Sequence, residues 1–170
     1  MKHFIARKKL VTCDIECAPN AFLIGFKGID TGKVMQMSLR GENTRFTIEQ
    51  RKKLRGTILK YGLVTFNGVK FDLPVILKSL MGASVSELKV MSSQIIEKNI
   101  PQWLSMKQFD VEEVAGITHI DLSEPAPGVM VSLKMYGARL HSKRLQDLPY
   151  DHNQHLNNEE FKVWSEYNIN

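Results

Sequence analysis

Leu10-Val11-Thr12-Cys13-Asp14-Ile15-Glu16-Cys17 alternates apolar and polar side chains along its length. A period of two reads as a β-strand. Residues i and i+2 of a strand share a face, so Val11, Cys13 and Ile15 point one way and Thr12, Asp14 and Glu16 the other. With a rise of about 3.3 Å per residue, the two acids stand roughly 7 Å apart at the backbone, and their carboxylates can converge on one point. Acids on a strand whose other face is apolar are costly unless something neutralises them, and a divalent cation would do so. The plainer alternative is a solvated edge strand of alternating charge, and Asp-x-Glu by itself is common.

Outward from this strand, Ala21 to Ile29 reads as a second strand, Asp30-Thr31-Gly32 as a turn and Val34 to Leu39 as a third strand. Two successive hairpins make an antiparallel start to a sheet. Thr47-Ile48-Glu49-Gln50 has capping-box spacing. It opens a helix to about Lys60 with Ile48, Leu54, Ile58 and Leu59 inward, stopped by Gly62. Leu63 to Phe66 is a short apolar strand, and Ile117 to Leu122 reads as another, buried one. Between them lie a turn at Asn67-Gly68 and helical segments over about 74–81 and 85–98, with Pro74 in a first helical turn. Pro125, Pro127 and Gly128 mark a loop, Ser132 caps a helix to about Leu140, and 141–155 is polar and irregular. Asn157-Asn158-Glu159-Glu160 opens a last helix. Neither an internal repeat nor a low-complexity linker interrupts the chain, so 1–170 reads as one mixed α/β domain.

The bulk numbers agree with a globular protein of one domain. The chain has 170 residues, 43% of them hydrophobic and 24% charged, and a net charge of +5. A basic balance favours a polyanionic partner such as nucleic acid, though weakly. Cys13 and Cys17 lie on one strand without a matching pair elsewhere, which excludes an ordinary zinc site and points to buried thiols in a reducing cytoplasm. The basic N-terminus lacks the apolar core and cleavage site of a signal peptide. No apolar run approaches the ~20 residues that span a bilayer.

Two further segments carry polar groups in telling places. In Asn67-Gly68-Val69-Lys70-Phe71-Asp72-Leu73-Pro74 an apolar strand ends, the chain turns, and Asp72 falls at a helix start. Ligand sites of α/β folds gather at such strand ends, and Asp is equally at home there as an N-cap. In the last helix Val163, Trp164 and Tyr167 are spaced to share a face, which would put Tyr167 in an apolar stripe with its hydroxyl at the rim.

Together these residues resemble the DEDD exonucleases, in the tyrosine-bearing branch that includes proofreading domains of DNA polymerases. That family's first motif, D-x-E, is matched by Asp14 and Glu16. Its second, N-x3-F-D, is matched by Asn67, Phe71 and Asp72. Its third, Y-x3-D, is matched at Tyr167, with the aspartate expected at position 171, one past Asn170. Ser132-Leu133-Lys134 to Leu148-Pro149 also looks like phage-encoded members. The resemblance implies a ribonuclease H-like fold: a central mixed sheet of three antiparallel N-terminal strands plus parallel strands, flanked by helices.

It further implies two Mg²⁺ or Mn²⁺ ions about 3.5–4 Å apart. Asp14 would bridge both, Glu16 hold the attacking side and Asp72 the second ion, with Tyr167 orienting the attacking water. Asn67 and Phe71 would shape the pocket for the terminal nucleotides, and Lys143 and Arg144 would contact phosphates. The implied activity is removal of nucleotides from single-stranded or frayed DNA 3′ ends, beside a DNA polymerase, with no membrane partner, in a cytoplasm (the host's, if the chain is phage-encoded).

Without the fourth carboxylate a large loss of rate is implied, and DNA binding without cleavage is the alternative. A fragment, a split or truncated gene, or a substituting acid (Asp147 and Asp151 being nearest) each account for the gap. Other residues read as ordinary. Asp121 caps the turn after its strand, His152 and His155 are loop surface, and Arg51, Lys52, Lys53 and Arg55 form a solvated helix face.

Overall fold

The structure is a computed structural model that describes residues 8–123, 132–142 and 146–169. The alternating segment forms β1 (Leu10–Ala18), followed by β2 (Ala21–Gly28) and β3 (Val34–Arg40). Helix α1 (Ile48–Lys60), β4 (Gly62–Thr65), α2 (Asp72–Leu80), α3 (Val85–Glu97) and α4 (Gln102–Gln108) come next. β5 (Thr118–Asp121), α5 (Leu133–Arg139) and α6 (Asn158–Ile169) complete the order. The sheet is mixed and five-stranded in the order β3-β2-β1-β4-β5. β1, β2 and β3 pair antiparallel, while β4 runs parallel to β1 and β5 parallel to β4. The protein is thus α/β, a mixed sheet flanked by helices.

The sheet's two faces are covered unequally. Val11, Cys13, Ile15, Phe22, Ile24, Phe26 and Met37 face the larger core, which they share with Leu54 and Ile58 of α1, Val75 and Ile76 of α2, and Leu88 and Met91 of α3. The opposite face carries a small core of Ala18, Ala21, Leu23, Leu156 and the fully buried Trp164 of α6. Both cysteines are free and buried, and burial pushes their thiols up, that of Cys17 to about 12.

Helix starts follow local chemistry. Thr47 and Gln50 close a reciprocal capping box on α1, and Ser84 and Glu87 close another on α3. Ser132 caps α5, and the Asn157 side chain accepts the N–H groups of Glu159 and Glu160 at the start of α6.

Four expectations need correction. Ile48 is 58% exposed, because it is the first residue of α1 and faces away from the sheet. Gly62 does not end α1 as a left-handed cap. It opens β4, where a Cβ would come within 2.7 Å of Leu10 Cδ2. β5 is an edge strand rather than a buried one, with Ile120 43% and Leu122 just beyond it 51% exposed. On α6, Val163 is exposed while Trp164 is buried, so these two do not share an apolar stripe. Helix α4 is not anticipated by the sequence reading, which places no element between 98 and 117. The expected loop at Pro125, Pro127 and Gly128 lies outside the described residues. Among the described residues no helix is long and apolar enough to cross a membrane.

Candidate functional site

β1 pairs with β4 only as far as Thr12, so the N–H of Ile15 has no strand partner on that side. Asp72 takes it: its Oδ1 accepts the Ile15 N–H at 3.1 Å. Asp72 is therefore not the helix cap its position suggested. Phe71 occupies the cap position of α2 without a side-chain cap bond, and the Asp72 carboxylate reaches over to β1 instead. This bond sets a third carboxylate beside the two that the strand already aligns.

The turn that delivers Asp72 is held from β5. Asp121 Oδ1 accepts the Asn67 N–H at 2.7 Å, and Oδ2 accepts the Val69 N–H at 2.9 Å. Oδ1 also accepts the N–H and hydroxyl of Ser123, at 2.9 and 2.7 Å. Burial works against the charged form of Asp121, but these donors outweigh it and hold the carboxyl below its usual range. Its oxygens are engaged, so Asp121 latches the turn and is not a free ligand. The turn has little slack: Asn67 has φ 61°, and a Cβ on Gly68 would lie 2.2 Å from Thr65 Oγ1.

Helix α6 closes the other side. Tyr167 is half-buried, and its hydroxyl is pushed up by burial and by the charges of Glu16 and Asp14. Its neighbour Asn168, which sequence reasoning missed, donates from Nδ2 to Asp14 Oδ2 at 3.2 Å. Gly25 sits opposite Asp14 in β2 and lets the helix approach. Thus Asp14, Glu16, Asp72 and Tyr167 come together, with Asn67 and Phe71 on the turn beside them. Lys143 and Arg144 lie outside the described residues.

The electrostatics of the cluster are one-sided. Burial pushes the Asp14 carboxyl up to about 6, and burial with the charges of Asp14 and Asp72 pushes Glu16 to about 8. Asp72 is raised by its burial and then by the charge of Asp14. Asp14 still presents an exposed surface, at the open edge of the cluster, so water damps its shift more than that of the buried Asp72. Among the described residues none of the three forms an ion pair. Asp147 pairs with Lys134, and Asp151 accepts the N–H of Asn153 at 2.7 Å, so neither nearby acid joins the cluster.

Among the described residues, no group of three His, Cys, Asp or Glu side chains is arranged as it stands to hold a metal ion. The donors nevertheless suit a hard divalent cation such as Mg²⁺ or Mn²⁺: all are carboxylate oxygens, the charge of Asp14 raises Glu16 and Asp72, that of Asp72 raises Glu16, and among the described residues no basic side chain pairs with them. No protein-family model, curated protein or solved structure matches the chain.

Proposed function

We propose that this chain is a metal-dependent 3′–5′ exonuclease domain of the ribonuclease H-like kind, acting on single-stranded or frayed DNA 3′ ends as the proofreading partner of a phage-type DNA polymerase. The observation that carries the reading is the bond from Ile15 N–H to Asp72, which joins the third acid to the Asp14–Glu16 strand, with no ion pair to the three among the described residues. The sheet supports it too, since three antiparallel strands followed by parallel ones is the arrangement that fold calls for.

In this reading Asp14, Glu16 and Asp72 hold two Mg²⁺ or Mn²⁺ ions. Bound there, the ions supply an acidified water and charge stabilisation for the leaving 3′ oxygen. The protein's own part is to align and orient. Strand β1 fixes the Asp14 and Glu16 carboxylates on one face, and Asp72 is tied to that strand by its Oδ1. Tyr167 offers its hydroxyl from α6 to orient the attacking water, and its raised pKa keeps that hydroxyl protonated at neutral pH. Asn67 and Phe71 shape the pocket for the terminal nucleotides, and Lys143 and Arg144 contact the phosphates.

The test is degradation of a 5′-labelled single strand in Mn²⁺. A ladder shortened from the 3′ end, absent with Asp14→Ala, is the expected result. A chain with one aspartate added after Asn170 is expected to cut faster, since the family pattern puts its fourth carboxylate there. A strand that stays bound and intact with every form would replace catalysis by a nucleic-acid-binding role.

A further inference from the structure

Across the face that carries Asp14, the side chains of β3, β2 and α6 meet in an ordered series. Ser165 Oγ donates to Gln36 Oε1 at 2.7 Å. Gln36 Nε2 donates to the Ser165 carbonyl at 2.8 Å and to Asn168 Oδ1 at 3.4 Å. Asn168 Nδ2 then donates to Asp14 Oδ2 at 3.2 Å. Each amide has its sense fixed by its partners. An ionised carboxylate and a backbone carbonyl only accept, so both amides must turn their N–H groups toward Asp14 and Ser165 respectively. The series therefore points the Asn168 amide N–H at Asp14, which favours its ionised form.

Gly25 makes this possible. It stands in register between Asp14 of β1 and Gln36 of β3. A Cβ there would lie 2.2 Å from Asn168 Oδ1 and 3.1 Å from its Cγ, while the Asn168 backbone oxygen would be at an ordinary 3.4 Å. A side chain at 25 would thus evict the Asn168 amide and leave the helix backbone room to stay.

We infer that Gln36 and Asn168 are positioning residues for Asp14, and that Gly25 provides the space in which they act. The inference rests on the metal-site reading above. Groups one shell out that orient a ligand carboxylate ordinarily govern metal affinity as well as rate. If the contacts served only to seat α6 on the sheet, breaking them would lower the melting temperature and leave the affinity of the ion alone.

The experiment compares Asn168→Ala, Gly25→Ala, the two combined, and Asp14→Ala. Mn²⁺ binding is followed by loss of the free-ion electron paramagnetic resonance signal, with a melting curve for each variant. Asp14→Ala is expected to abolish binding. Asn168→Ala and Gly25→Ala are each expected to weaken it about tenfold. The double variant is expected to bind no more weakly than Asn168→Ala, because the methyl at 25 then has no amide to strike. Wild-type Mn²⁺ affinity in Asn168→Ala, with binding lost in Asp14→Ala, would overturn the inference and spare the metal site. So would a Gly25→Ala penalty that persists undiminished in the Asn168→Ala background. Normal binding by Asp14→Ala would remove the metal site and the inference together.

Discussion

Burial, with the charges of Asp14 and Asp72, raises the Glu16 carboxyl from 4.5 to about 8, and the sign of that shift fixes a pH dependence. A carboxyl whose pKa is raised by folding binds its proton more tightly in the folded state. The stability linked to that proton is complete below the unfolded value and is lost as pH rises through the folded one. Asp14, raised from 3.8 to about 6, adds to the trend in the same direction. In EDTA the melting temperature should therefore fall between about pH 5 and pH 8. Glu16→Gln should flatten the fall, and saturating Mn²⁺ should restore to the unsubstituted chain at pH 8 the stability lost on leaving pH 5. A melting temperature that climbs over that range in EDTA would contradict the repulsive cluster. Asp121 makes the opposite case, since its carboxylate is wanted in charged form by the N–H groups of Asn67, Val69 and Ser123. Asp121→Ala leaves those donors unpaired and is expected to cost about 2–3 kcal/mol in urea unfolding. It should also weaken Mn²⁺ binding, because the turn it releases is the one that delivers Asp72.

Helix α6 brings Asn168 onto Asp14 and Tyr167 beside the acids. Its anchor is Trp164, 1% exposed, in a small core with Leu23 and Leu156, aided by the Arg40 guanidinium 4.4 Å over the Phe161 ring. Trp164→Ala should cost about 3–5 kcal/mol of docking. Because that core is separate from the one under α1, α2 and α3, amide exchange should speed up across α6 and stay slow in those helices. Equal acceleration in both sets would show a single cooperative unit. Element boundaries of this sort were partly legible in the sequence. The period-two alternation of β1 and the capping box at Thr47 are local signals, and both appear where the local chemistry puts them. Ile48 misleads because a capping box fixes where a helix starts and says little about which way its first residue faces. Ile117 to Leu122 misleads because apolar content alone does not tell a central strand from an edge. The partnership of Asn168 with Asp14 joins residues 154 positions apart and has no local sign at all. Asp72 lay in between: its place at a helix start was visible, but its bond to β1 depends on how far β4 pairs.

For the molecule as a whole, in the exonuclease reading the net charge of +5 would bear on how a strand arrives rather than where it is cut. Binding of a single-stranded oligonucleotide to Asp72→Asn, which keeps an acceptor for the Ile15 N–H but lacks the charge, should weaken with salt. The log–log slope should be about −0.7 for each phosphate neutralised, and affinity indifferent to salt would deny the basic surface any part. The unequal covering of the sheet matters in another way. On one face three helices share a broad core, whereas on the other α6 is held by a small core around Trp164 and by hydrogen bonds from Gln36, Lys27 and to Asp14. Tension applied through the C-terminal end would peel α6 away before it disturbed the strands. Tyr167 and Asn168 would leave with it, and Asp14, Glu16 and Asp72 would stay behind on an intact sheet. Mechanically the last helix is the weak link, and a load too small to unfold the protein would be enough to part Tyr167 and Asn168 from the three acids.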